Sequence, residues 1–271
     1  MTSVIAFHVV LVAYAVSAGL FFFDLARSSE GSVGSSRLAP RTLAASVALH
    51  AAYLASEVAD GTVMAWSLKF ALSLCGVSVA LAYLVLRTRS KIDAIGVAVA
   101  PISLTLLVGA DFLRASGPVT DFPRTLLLMH VAANVLGVGL FLLAGATSAF
   151  YLVQERRLKE KRVSPRSGRL PPLDALDLTL HRLLLAGFPL LTFGIVSGAV
   201  FASSPAAMTP AGIARSALAY TTWLLVAGVL VLRAALGWRG RRAAYGTLAG
   251  VVCVLLVVGI YVANSGGGGG L

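Results

Sequence analysis

The sequence predicts an all-α, polytopic membrane protein of eight transmembrane helices with both termini on the non-cytoplasmic side. Three observations predict it. First, 58% of the 271 residues are hydrophobic and 12% are charged, with a mean hydropathy of +0.89. A soluble domain of this size carries roughly a quarter charged residues, so too few polar side chains are present to cover a water-facing surface. A lipid-facing surface removes that need. Second, the chain divides into eight apolar runs close to the ~20 residues that span a bilayer. Third, the basic residues alternate between the two sides of those runs. Topology thus accounts for the net charge of +11, and no nucleic-acid partner is expected.

The spans fall at 4–26, 43–60, 66–86, 92–112, 125–153, 179–202, 217–236 and 243–263, and 1–264 reads as a single eight-helix domain. No basic residue precedes the first run, and the first to appear is Arg27 after it. A cleaved signal peptide has the opposite order, so this run is expected to remain as a span. The fifth run is long and is expected to continue as a water-exposed helix through Arg162.

The odd-numbered connections carry most of the cations. They hold Arg27, Arg37 and Arg41, then Arg87, Arg89 and Lys91. The next runs from Arg156 to Arg169 with Arg182 just beyond, and the last holds Arg233, Arg239, Arg241 and Arg242. Only Lys69, Arg114, Arg124 and Arg215 lie toward the other side. Basic connections mark the cytoplasmic face. The basic loop 154–178 is therefore cytoplasmic, with Asp174 as the expected N-cap of the sixth helix and Asp177 in its first turn. Gly168, Pro171 and Pro172 break any helix before it. The tail 265–271 contains five consecutive glycines and is expected to be disordered.

Polar residues inside the spans form stripes. Ser46, His50, Tyr53, Glu57 and Asp60 share one face of the second span, with Ala, Val and Leu opposite. His50 lies about seven residues from the cytoplasmic end, or roughly 10 Å deep. His130, Asn134, Gly137, Phe141, Gly145 and Ser148 share a face of the fifth span, with His130 near its outer end. Such groups either hold helices together or serve a ligand, and both readings stand for His50 and His130. His8 lies at a similar outer depth, and His181 sits at the cytoplasmic mouth of the sixth span. Gly194-x-x-x-Gly198 and Gly246-x-x-x-Gly250 are packing motifs. Asp24 and Arg27 are spaced as a solvated pair. Cys75 and Cys253 lie in apolar runs without C-x-x-C spacing, which argues against dithiol chemistry. There is no phosphate-binding loop, no G-x-S-x-G and no H-E-x-x-H. No internal repeat supports an inverted-repeat transporter.

Several motifs carry a family resemblance. Val153–Lys159 follows a Leu-Gln-Glu-Arg-x-Leu-Lys pattern, Pro171–Leu173 reads Pro-Pro-Leu, and Gly187–Thr192 reads Gly-Phe-Pro-Leu-Leu-Thr. LLMHV surrounds His130 and HAAYL begins at His50. In these motifs the chain resembles the HemX-like branch of the CcsA-type cytochrome c assembly family, over most of its length and most densely at 125–202. The resemblance implies eight spans and a haem-associated role in cytochrome c assembly or the regulation of haem biosynthesis, accessory rather than enzymatic. It implies haem as cofactor, with His130 and His50 as the iron ligands. It implies a multi-pass protein of the bacterial cytoplasmic (inner) membrane. Beyond the lipid bilayer, its partners would be other cytochrome c assembly proteins or a haem-synthesis enzyme, glutamyl-tRNA reductase. Two departures stand out. The family's tryptophan-rich outer segment has no counterpart in 203–220, and Asn264 with a glycine run replaces its late histidine.

Two other functions remain open on the residues alone. Glu57 and Asp60 at the end of the second-span stripe suit a small-molecule or ion transporter. The basic loop suits a scaffold that recruits a cytoplasmic partner or anionic lipid.

Overall fold

The computed structural model describes residues 2–27, 38–64, 67–89, 92–111, 123–160, 171–202 and 209–266. Eight α-helices account for nearly all of them, with no strand among the described residues. They are α1 (Thr2–Arg27), α2 (Leu38–Ala59), α3 (Leu68–Arg87), α4 (Gly96–Asp111), α5 (Arg124–Lys159), α6 (Leu173–Ala202), α7 (Pro210–Leu236) and α8 (Arg241–Gly266). All eight contain a stretch long and apolar enough to cross a membrane. The stretch 161–170 of the basic loop, the tail from 267 and the Arg27 side chain lie outside the described residues.

Local chemistry sets several boundaries. Ser67 Oγ accepts the Phe70 N–H at 3.2 Å and starts α3. Thr209 does the same for Gly212 at 3.1 Å, with Pro210 as the first helical residue of α7. Gly237, at φ +66°, turns the chain out of α7, and its N–H bonds the Arg233 carbonyl at 3.1 Å. α6 begins two residues earlier than an Asp174 cap would place it, so Asp174 sits within its first turn rather than capping it. There its carboxylate still opposes the positive end of the helix dipole. The 36 residues of α5 give a rod of about 54 Å, well beyond the ~30 Å hydrocarbon core. Its final turns are exposed and carry i,i+4 ion pairs, Arg156–Glu160 and Lys159–Glu155. The helix stops at Lys159, short of the expected Arg162.

Packing divides the helices into two rings. In the first, α1 meets α2, α2 meets α3, α3 meets α4 and α4 returns to α1. In the second, α5, α6, α7 and α8 close the same way, with α8 against α5. The main seam between the rings is α3 against α5. One end of the bundle gathers the two terminal helix ends, and is called the terminal end below. The opposite, basic end is fastened by Asp177 of α6. Its carboxylate accepts both Arg233 Nη1 and Nη2, at 3.0 and 2.7 Å, and the Gly240 N–H at 2.7 Å. Gly240 itself has φ +62°, and the Tyr151 ring fills the space a side chain would need.

Candidate functional site

The second-span stripe faces the interior of the first ring. Ser46, His50, Tyr53 and Glu57 are buried, whereas Asp60 is exposed. Ala48 and Leu49 face outward as expected. Val47, expected on the outward side, is buried as well. The helix burial arc is about 100° wide and takes in the neighbour of Ser46.

His50 has no exposed surface and is held from two other helices. Its Nε2 shares a 2.8 Å hydrogen bond with Ser73 Oγ of α3, and its Nδ1 a 3.3 Å bond with the Tyr14 hydroxyl of α1. Tyr14 also meets the ring edge-on. One turn nearer the basic end, Ser46 and Ser17 join α2 to α1 at 3.1 Å. On the far side of the ring, Ser103 of α4 bonds the Gly76 carbonyl of α3 at 2.9 Å. All four helices of the first ring thus contribute to one polar interior. In this geometry both His50 nitrogens are engaged, and a metal could reach one only by displacing Ser73 or Tyr14.

His130 lies in the second ring, about six residues or 9 Å from the start of α5. α6 passes very close to it. A Cβ added at Gly194 would strike the Asn134 amide, and one at Gly198 would lie 3.2 Å from His130 Cε1. The expected packing motif therefore clamps the histidine between two helices. Ser197, between those glycines' turns, reaches its ring from α6. The Ser197 hydroxyl donates its single proton to the Phe193 carbonyl at 2.6 Å. The 2.8 Å contact between His130 Nδ1 and Ser197 Oγ is then a bond in which Nδ1–H donates. The neutral ring accordingly carries its lone pair on Nε2. Asn134 Nδ2 lies 3.3 and 3.2 Å from the two ring nitrogens. A point in the ring plane equidistant from both would collide with ring carbons, so the amide sits over the ring face. Its clear in-line bond is to the His130 carbonyl, at 2.9 Å.

The other two histidines are placed apart. His8 is exposed at the terminal end, with Nδ1–H donating to the Val4 carbonyl at 2.7 Å. It belongs to the first ring, so the packing does not pair it with His130. His181 lies at the basic end, its Nδ1 shielded and without a hydrogen-bond partner among the described residues. Among the described residues no cluster of His, Cys, Asp and Glu could hold a bare metal ion. Sequence reasoning missed Ser197, Ser73 and Tyr14, whose types carry no signal in an apolar run.

Eight apolar helices and a buried polar interior define a multi-pass integral membrane protein, with His130 hydrogen-bonded from α5 to α6 near its terminal end. Residues 65–265 match the family described as cytochrome c assembly protein, and the chain belongs to that family. It is 29% identical over 190 residues to a cytochrome c biogenesis protein CcsA from Guillardia theta, covering 62% of this chain and 63% of the relative. A CcsA from Chlamydomonas reinhardtii is 30% identical over 158 residues, covering 55% of this chain and 43% of the relative. A HemX protein from Brevibacillus brevis is 41% identical over 76 residues, 28% of each chain. The matched part is thus less than two thirds of each relative's own length. No solved structure matches the chain.

Proposed function

We propose that the protein is a haem-handling accessory of cytochrome c assembly, or of the control of haem synthesis, in a bacterial cytoplasmic membrane. The observation that carries this reading is the His130–Ser197 hydrogen bond. A haem iron takes an unprotonated imidazole nitrogen, and this bond directs the lone pair to Nε2. His130 would meet that requirement through Nε2. His50 fits it only by giving up one of its two hydrogen bonds, so it is assigned to holding the first ring together. Bound haem would supply an iron able to accept an imidazole nitrogen. The chain's own work is to orient His130 through Ser197, to keep α5 and α6 in close contact through Gly194 and Gly198, and to surround the porphyrin edge with apolar side chains.

The reading is accessory rather than enzymatic because 203–220 lacks tryptophan. A flat aromatic surface on which to present haem to another protein is absent from that segment's sequence. Other assembly proteins or a haem-synthesis enzyme would act as partners. On this reading both termini lie on the non-cytoplasmic side, because the cations gather at the other end, and His130 lies toward the termini.

The test is an absorption spectrum of gently solubilised protein after haem addition. The expected result is a Soret band that His130→Ala abolishes, Ser197→Ala weakens and His50→Leu leaves in place. A band indifferent to His130 would overturn the assignment.

A further inference from the structure

We propose that the basic end carries a binding site for one acidic phospholipid, in the groove between the start of α2 and the end of α3. The groove encloses about 420 Å³ and is lined by Pro40, Arg41, Ala44, Leu84, Arg87 and Thr88. It belongs to the first ring, away from His130. Arg87 closes α3, and its Nε and Nη2 both donate to Asp93 Oδ1, at 3.1 and 2.6 Å. That bond fixes the guanidinium at the rim and offsets its charge. Arg41 is exposed and makes no hydrogen bond or ion pair with any described residue. Among the described residues the lining thus presents one uncompensated positive charge, matching the single negative charge of a phosphodiester. The amino-terminal end of α2 adds partial positive charge beside it.

The walls separate a lipid from a free anion. Ala44 lies one turn deeper than Arg41, and Leu84 one turn deeper than Arg87. Below them Ala48 and Ala51 of α2 and Leu81 of α3, 50% exposed, continue the same faces. Charge at the mouth and apolar surface beneath are arranged as the headgroup and acyl chain of a phospholipid are. A small alanine opposite leucine leaves the width for a chain to lie there. Inorganic phosphate would use only the mouth.

The experiment is native mass spectrometry of the full-length protein in mild detergent, titrated with phosphatidylglycerol, phosphatidylcholine or inorganic phosphate. One phosphatidylglycerol should be retained in preference to phosphatidylcholine, and phosphate should neither add nor compete. Arg41→Gln should weaken the adduct about fivefold, the effect of one cation near an anionic headgroup. Ala44→Trp fills the groove without changing charge and should remove the adduct. Arg157→Gln, an exposed cation at the same end, should leave it unchanged. Equal retention of phosphatidylcholine, competition by phosphate, an equal loss with Arg157→Gln, or an adduct that survives Ala44→Trp would each overturn the proposal.

Discussion

At the scale of the residue, His50 shows what a buried polar group does in a bundle. Its two hydrogen bonds join three helices, so its removal orphans the Tyr14 and Ser73 hydroxyls together. His50→Leu should therefore lower stability by about 1–3 kcal/mol, read as a fall in the Tm of detergent-solubilised protein. Ala48→Leu, on the exposed face two residues away, should leave Tm unchanged. Equal falls for both would remove any special orientation of the stripe. The stripe was legible because its 4, 3, 4, 3 spacing puts its members on one side of a helix. Its partners were not, because Tyr14 and Ser73 stand 36 and 23 residues away. Nothing in a single helix says which neighbour its polar face will meet. Ser197 was hidden for a similar reason. A serine in an apolar span reads as helix glue until a histidine is seen within 2.8 Å of it.

At the scale of the element, the basic end is held by a junction of three helices. Asp177 of α6 receives the guanidinium of α7 and the N–H of Gly240, just before α8. The pair is largely shielded, with 11% and 15% of the two side chains exposed. Asp177→Asn leaves Arg233 without its counter-charge and should cost about 2 kcal/mol, between the values for surface and buried pairs. The double variant Asp177→Asn with Arg233→Gln should cost less than the sum of the two single changes. Strict additivity in thermal melts would mean that the fork contributes nothing as a pair. In the sequence Asp177 is visible only as an acidic residue in a first turn, a role that asks for no partner. The fork requires knowing that α7 ends beside the start of α6, which is a property of the packing. Helix number, by contrast, follows directly from composition, because every span must satisfy its own backbone in lipid.

At the scale of the whole molecule, the order of helices around each ring is the least legible feature. Apolar runs of similar length give no sign that α4 returns to α1 or that α3 meets α5. Orientation is a separate property, set by where the cations gather. Cysteine placed at Ser164 should be protected from an impermeant reagent in intact cells, and cysteine at Asn264 should react. Labelling at Ser164 but not Asn264 would reverse the orientation, and would turn His130 toward the cytoplasm.

The closure of the first ring by α4 also bears on how the protein is made. Both hydrogen-bond partners of His50 lie in α1 and α3, so they have left the ribosome before His130 is translated. The first half can shut its polar interior away from lipid while the second half is still a nascent chain. His130 waits for α6 to arrive before its ring is turned by Ser197. The order of synthesis thus finishes the scaffold first, and leaves the proposed iron ligand without its orienting partner until about three quarters of the chain exists.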